Sequence, residues 1–540
     1  MLAKRCFVQA LAAMSLAAVC SAQAPAVYQD LYAQLARDVA DFQNAIHSAS
    51  NGTAFPVRYG GQLTDANCNN GPALLQPSSA ALIDSEILLL KAVGVRAVSV
   101  EVSYPMLDPA FFAFIGHPEY QPQFAAFYAN VAASIRAQGM QVIVESQSMI
   151  PTGLQSVWGS QLQAYYATLT TFQAYTSARA QAAGIVAQTM RPDYFVLQEE
   201  PDTESAQSGQ ASAGTVSGST SMLDATTAAA RQAGVAGMKI GAGFGTWLQA
   251  YPLFANSFTR QHCGQIVNGQ PQPCLSQSLD FLDLHVFPIT EQTAACSAPP
   301  NPKPCTAPNF WQNAMAVVAA AKAAGVPLSI SQTWLRKVRD GEWLQIDGDV
   351  QEAREAYSFW APLDLQFLQT IHDLANYAQM LFVVPFNTQS DSAYVTWSSG
   401  TALRNEGGSN TEAQVFAAVQ SAAIANAAAA SYTSVATGFH NLIVSDAAPP
   451  SSPSNVVATR TTPAEAMVSW SAAADDVGVA GYHVLRNGGR VADVFQSPFH
   501  DTGLSAGTVY TYQVQAFDLA GNVSAAASSS QGRRRAAVHN

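Results

Sequence analysis

The segment Tyr194-Phe195-Val196-Leu197-Gln198-Glu199-Glu200-Pro201-Asp202 places two adjacent carboxylates at the end of an apolar run, directly before a proline. Carboxylates transfer protons, and a pair in unlike surroundings can hold one member protonated and the other ionised. Side chains of related use close similar runs elsewhere: Tyr59 and Gln62, Glu101 and Tyr104, Glu145 and Gln147, Trp247, His285, Gln332 and Trp334, and Phe386 with Asn387. Amides bind hydroxyls, and aromatic faces stack on sugar rings. With few cations among them, these residues describe a carbohydrate cleft better than a phosphate site. Metal spacing is missing. His262 directly adjoins Cys263, which is not ligand spacing, and Asp347-Gly348-Asp349 lacks the further oxygen donors of a calcium loop. Neither a Gly-x-Ser-x-Gly elbow nor a dinucleotide fingerprint in a strand-to-helix setting occurs. No metal or cofactor is expected.

These residues need elements to position them. Short runs rich in Val, Ile or Leu recur at Pro56–Leu63, Ala97–Tyr104, Gln141–Gln147, Tyr194–Glu200, Met238–Phe244, Phe281–Pro288, Pro327–Trp334 and Leu381–Asn387. Ala-rich amphipathic stretches separate them: Ala80–Val93, Phe124–Gln138, Tyr165–Thr189, Ser221–Ala233, Trp311–Ala324 and Val350–Gln379, with a final helix over about Thr411–Ala430. Gly94, Gly139, Gly234 and Gly325 follow helix ends, where glycine takes the left-handed cap cheaply. Continuous apolar strands alternating with helices imply a parallel sheet covered by helices. Eight such units predict an α/β fold, a (β/α)8 TIM barrel, whose reactive residues gather where the strands end. An open doubly wound sheet is disfavoured because no Gly-rich phosphate loop follows an early strand.

After a Pro/Ser-rich stretch the pattern changes to short alternating runs: Asn455–Thr459, Glu465–Trp470, Gly481–Arg486, Gly489–Phe495 and Tyr510–Asp518. That pattern predicts a small all-β antiparallel sandwich. Trp470, Gly481-Tyr482-His483-Val484, Leu504-Ser505-Ala506-Gly507-Thr508-Val509-Tyr510 and Tyr512-Gln513-Val514-Gln515-Ala516 resemble fibronectin type III modules. The resemblance implies a spacer or adhesion module with Trp470 as core residue and Tyr510 as corner tyrosine. The expected organisation is a leader over 1–24, the barrel over 25–440, a linker over 441–453, the sandwich over 454–530 and a basic tail over 531–540.

The barrel has its own resemblance. Glu199-Glu200-Pro201 is similar to the fourth-strand motif of clan A (β/α)8 glycoside hydrolases, an Asn-Glu-Pro triplet that supplies the general acid/base. Leu284-His285-Val286-Phe287-Pro288, Ser329-Ile330-Ser331-Gln332-Thr333-Trp334 and Leu381-Phe382-Val383-Val384-Pro385-Phe386 resemble the sixth, seventh and eighth strands in order. The resemblance implies Glu200 as acid/base, its pKa raised by burial or by Glu199. It also implies His285 as a ligand to a sugar hydroxyl or to that Glu. There are two departures: Gln332 stands where the nucleophile is expected, and Glu199 where Asn is expected. Together they would move a carboxylate from one strand to its neighbour across the site. Adjacent strand residues point to opposite faces, so both acids reach the mouth only through a bend or bulge. Glu199 is thus the expected partner of Glu200. Gln332, Trp334, Tyr104, Trp247, Glu145 and Phe386 join His285 as expected substrate contacts, and Glu145 and Glu101 are the reserve candidates for the second carboxylate.

Two functions are consistent with this. The first is a secreted glycoside hydrolase acting on O-glycosidic bonds of a poly- or oligosaccharide; the second is a carbohydrate-binding barrel that has lost its nucleophile and its catalysis. Secretion is read from Lys4 and Arg5, the apolar Phe7–Val19 and the small Ala22 and Ala24. That apolar run is too short to span a bilayer, so no membrane insertion is expected. A formal net charge of −12 argues against nucleic acid as a partner. Cys263 with Cys274, and Cys296 with Cys305, bracket two loops and read as local disulfides in an oxidising compartment. Cys68 is left over.

Overall fold

The computed structural model describes residues 24–50, 52, 54–151, 157–247, 266–267, 270–271, 278–289, 310–340, 342, 348–385 and 392–531. Almost all of the expected leader, Cys263, Cys274, Cys296, Cys305, Phe386 and the tail after Gln531 lie outside the described residues.

All eight expected strands form: β1 (Arg58–Gln62), β2 (Ala97–Glu101), β3 (Gln141–Glu145), β4 (Tyr194–Val196), β5 (Lys239–Gly245), β6 (Phe281–Val286), β7 (Leu328–Thr333) and β8 (Phe382–Pro385). They pair in parallel in that order, and β8 closes on β1. The chain therefore folds as a (β/α)8 barrel. Its strands are buried nearly throughout, which is why they read as continuous apolar runs.

The barrel interior is stratified by the two-residue period of the strands. Ala97, Ile143, Tyr194, Phe281 and Phe382 fill the amino-terminal end as a cluster of buried side chains. There the Tyr194 ring meets the Phe382 ring edge-on at 4.8 Å. Two and four residues further along the same faces stand Ser99 and Glu101 on β2, and Asp283 and His285 on β6. An apolar plug thus underlies a polar, ionisable layer. β5 makes room for β6 with alternate glycines. A Cβ on Gly241 would lie 2.1 Å from the Phe281 ring, and one on Gly243 would lie 2.0 Å from the Asp283 carbonyl oxygen.

The helices Pro77–Val93, Tyr120–Ala137, Val216–Gln232 and Phe310–Ala324 form over four of the expected stretches, three of them starting three to five residues earlier. Two stretches expected as single helices are split. Gly159–Thr168 is followed by Phe172–Met190, whose N-cap Thr171 accepts from Ala174 N–H, and Gly348–Glu355 is followed by Ala361–Ala378. A helix over Gln29–Ala49, not expected from the sequence, buries Leu31, Leu35, Val39, Phe42 and Ile46. It stacks Tyr32 on Trp360 at 5.4 Å and sets Phe42 edge-on to Phe310 at 5.5 Å.

The second unit is a sandwich of two four-stranded sheets. Its core holds Val468, Trp470, Tyr482, Val484, Tyr512 and Val514, with the Trp470 and Tyr482 rings 5.2 Å apart. The Tyr510 hydroxyl accepts from Ser505 N–H at 3.2 Å, the contact a corner tyrosine makes with backbone just upstream. This unit is fibronectin type III-like. The helix Ser434–Ile443 runs into the stretch expected as linker.

Candidate active site

The ends of β2, β3, β4, β6 and β7 converge on Glu101, Glu145, Glu199, Glu200, Asp283, His285 and Gln332, all buried but for Glu200. Their levels follow from register: Glu101 pairs with Glu145, Glu145 with Val196, and His285 with Gln332.

Glu199 and Glu200 both enter this layer because β4 is bulged. In a regular parallel ladder the residue whose N–H bonds Gly241 would itself accept from Gly243. Here Leu197 N–H donates to Gly241 O at 2.9 Å, but Gly243 N–H donates to Gln198 O at 2.8 Å. One extra residue is thereby inserted, and the alternation of faces is reset. The displaced Leu197 carbonyl is taken by Arg179 Nη2 at 2.8 Å. Arg179 is fully buried. It also donates to the Ser146 carbonyl at 3.3 Å and pairs through Nε with Glu204 at 2.8 Å, where Tyr175 OH donates as well. One guanidinium therefore ties the ends of β3 and β4 together.

Past the bulge, Glu200 precedes the helix Pro201–Ser208 and turns toward β6. Its Oε1 lies 2.8 Å from His285 Nδ1, and its Oε2 accepts from Thr203 OH. His285 Nε2 lies 2.9 Å from Ser331 Oγ, and Ser331 and Ser329 both donate to Asp283 at 2.5 Å. Glu199 instead reaches β7. Gln332 Nε2 donates to Glu199 Oε2 at 3.4 Å and to Glu145 Oε2 at 2.6 Å. Ser99 OH donates to the other Glu145 oxygen, whereas Glu199 Oε1 is buried with no hydrogen-bond partner. On β2, Glu101 accepts from Asn67 Nδ2 at 2.7 Å and from Ser103 OH at 3.0 Å.

This crowding sorts the carboxyls by protonation state. Burial first, and then the charges of Glu145, Glu101, Glu200 and Asp283, push Glu199 well above the ordinary carboxylate range. Burial likewise carries Glu145 up to about 8, against the opposing pull of His285, Ser99 and Gln332. Burial also raises Glu101 and Asp283. Glu200 goes the other way. Burial would raise it, but the His285 hydrogen bond and charge, aided by Thr203 and Arg336, outweigh that and hold it below its usual value. Burial would lower His285, yet Glu200, Asp283 and Glu145 bring it above its usual value. The sequence-based expectation of a raised Glu200 is therefore reversed: the raised member of the pair is Glu199. The cause is His285, whose contact with Glu200, one of the two roles the resemblance implies for it, pulls that carboxyl down instead of leaving burial to raise it.

Among the described residues, Glu145, Glu199 and His285 bring one potential ligand atom each within 4.8 Å of the others. Both His285 nitrogens are engaged, by Glu200 and Ser331, and the Gln332 amide N–H group donates to both carboxyls. That is a proton-sharing arrangement rather than a set of vacant ligands.

The expected aromatic contacts fare differently. Tyr104 is buried among Tyr165, Tyr166 and Tyr175, with Arg179 over its ring. Trp247 is buried against Phe287, and its indole N–H donates to Asp202 at 3.0 Å. Neither is a free stacking face; both help to build the walls. Trp334 is buried with Lys337 over its ring, but its indole N–H has no partner. Sequence reasoning missed Asp283, Ser99, Ser331 and Arg179. Asp283 and Ser99 carry a legible signal, since each sits two residues from a candidate on the same strand face, and Ser331 directly precedes the candidate Gln332. Arg179 carries none, because it lies on a helix. Cys68 is buried and free, its Sγ accepting from Ser103 N–H at 3.3 Å.

No protein-family model matches the chain. A chitinase, Chi52, from Paenibacillus xylanexedens is 45% identical over 84 residues, 16% of this chain and 16% of that protein. Exoglucanase B from Cellulomonas fimi is 46% identical over 80 residues, 15% of this chain and 7% of that protein. The chain thus spans about a sixth or less of the length of these curated relatives, and the matches bear on the fibronectin type III-like module. A solved β-glucosidase from Exiguobacterium antarcticum B7 has a TM-score of 0.41 at 12% identity, covering 62% of this chain and 89% of that one. A likeness that low leaves the reaction to be argued from the site itself.

Proposed function

We propose that this protein is a secreted glycoside hydrolase acting on O-glycosidic bonds of a poly- or oligosaccharide. The observation that carries the reading is the unlike surroundings of two neighbouring carboxyls at one barrel mouth. Glu200 lies on His285 and Glu199 on the amide that also holds Glu145, which pushes their pKa values in opposite directions. Two-acid glycoside hydrolysis needs one protonated carboxyl to donate to the leaving oxygen and one ionised carboxylate to meet the developing positive charge or activate water. Glu199, pushed up by burial and like charges, supplies the first state, and Glu200, pulled down by His285, the second. The roles are thus exchanged relative to the clan A resemblance, in keeping with an amide at position 332. Gln332 holds Glu199 and Glu145 in place instead of attacking. The curated relatives that share the C-terminal module are named as chitinases and exoglucanases, which supports a glycan as the substrate.

The second reading is a binding barrel without turnover. It is favoured by the complete burial of Glu145 and Glu199 beneath Gln332. Release of reducing sugar from plant, microbial and animal glycans distinguishes the two. Hydrolysis predicts turnover that falls by about 10²–10⁴ in both Glu199→Gln and Glu200→Gln, the usual worth of a positioned acid or base. Saturable glycan binding with no turnover by the unaltered protein establishes the binding barrel. Full activity in both variants removes the pair from any mechanism.

A further inference from the structure

The β1–β3 side of the mouth is lined by amides that none of the roles above uses. Gln62, at the end of β1, pairs with Ser99, whose hydroxyl donates to Glu145. Register partners on neighbouring parallel strands point to the same side, so Gln62 enters the barrel interior. Gln147 lies two residues beyond Glu145, and its N–H donates to Ser103 Oγ, the hydroxyl that itself donates to Glu101. Asn69 N–H donates to Asn67, whose side chain also holds Glu101. All three amides are buried, with Gln62 2%, Gln147 8% and Asn69 6% exposed. Each has a buried polar atom without a hydrogen-bond partner: Gln62 Nε2, Gln147 Oε1 and Asn69 Oδ1.

A buried amide left unpaired costs a folded protein stability, so several at one end of one barrel call for a cause. We infer that Gln62 and Gln147 are specificity residues that read hydroxyls of a neutral sugar unit entering the mouth on the β1–β3 side. An unmatched donor and an unmatched acceptor suit a hydroxyl, which accepts and donates at once. A carboxylate only accepts, so it can take the Gln62 donor but leaves the buried Gln147 acceptor unmatched, and uronic acids are disfavoured. The inference rests on the carbohydrate part of the proposed function, not on hydrolysis.

The test uses the full chain and its Gln62→Met and Gln147→Met variants, which keep side-chain volume and remove the amide. Binding of methyl glucoside, mannoside, galactoside and xyloside, and of glucuronate and galacturonate, is measured by calorimetry or saturation-transfer NMR, together with Tm. At least one neutral glycoside should bind the unaltered protein, with both uronates at least about tenfold weaker. Each variant should weaken that binding by about tenfold, the worth of one hydrogen bond. Tm should stay level or rise, because an unpaired buried amide has been removed. The inference is overturned if no neutral glycoside binds, if uronates bind as well, or if the variants keep full affinity. A fall in Tm in both variants also overturns it, since the amides would then serve a structural partner or a buried water. Binding as expected in a chain that hydrolyses no glycan removes the hydrolase reading and leaves this one standing.

Discussion

Arg179→Met tests how the site is held. The guanidinium is fully buried, pairs with the equally buried Glu204, and supplies the hydrogen bonds to the Leu197 and Ser146 carbonyls. Removing one partner of a buried pair leaves a charge without compensation, at a cost of about 3–5 kcal/mol. The two orphaned carbonyls add about 1–3 kcal/mol each where they stay dry. Tyr175 still donates to Glu204 and recovers part of this. The net expectation is a loss of at least about 3 kcal/mol in the barrel's urea unfolding transition, followed by tryptophan fluorescence with linear extrapolation. The double variant Arg179→Met/Glu204→Leu should lose less than the single one, because no unpaired charge remains. The consequence for the site is separate from stability. The Leu197 carbonyl is free of the ladder because β4 carries an extra residue, and without Arg179 the bulge has no partner for it. Glycan turnover or binding should therefore fall at temperatures where far-UV circular dichroism shows the barrel intact. A single variant that loses under about 1 kcal/mol, or a double variant that loses the sum of both changes, would refute the argument.

Glu145 should make the barrel less stable as pH rises. Its folded pKa of about 8 lies above its ordinary 4.5. Between those values the unfolded chain gives up a proton that the folded chain keeps, so stability falls across that window and levels off above it. Glu145→Gln should flatten the decline between pH 5 and 8, read as Tm against pH; an unchanged slope would show that Glu145 is not its source. Gly243→Ala should disrupt the layer beneath His285, because a Cβ there would sit 2.0 Å from the Asp283 carbonyl oxygen and β5 cannot keep its distance from β6. A soluble variant with wild-type Tm and glycan binding would count against the close approach.

Much of the architecture was legible in local pattern. Strands buried on both faces must be apolar throughout, so the eight runs and the glycines closing the helices between them announce a parallel barrel. Trp470, Tyr482 and Tyr510 announce the sandwich in the same way, since each occupies a position set by the two-residue period and a fixed turn. Splits such as the break at Thr171 were less visible, because Ala-rich sequence favours helix on either side of it.

By itself, the sequence determined which chemical groups arrive at the barrel mouth: strand period and chain order carry Glu101, Glu145, Glu199, Glu200, His285 and Gln332 to the carboxyl ends of their strands. Only the tertiary structure decided what those groups are there. A bulge secured by an arginine from a helix turned both members of the Glu199–Glu200 pair inward, and His285 beside one of them reversed the expected order of protonation. Burial in place of exposure made Tyr104 and Trp247 walls and left Gln62 and Gln147 with unmatched atoms. The physical reason is that side-chain type and spacing are local, whereas a carboxyl's proton and an amide's missing partner depend on charges and surfaces brought together from distant parts of the chain.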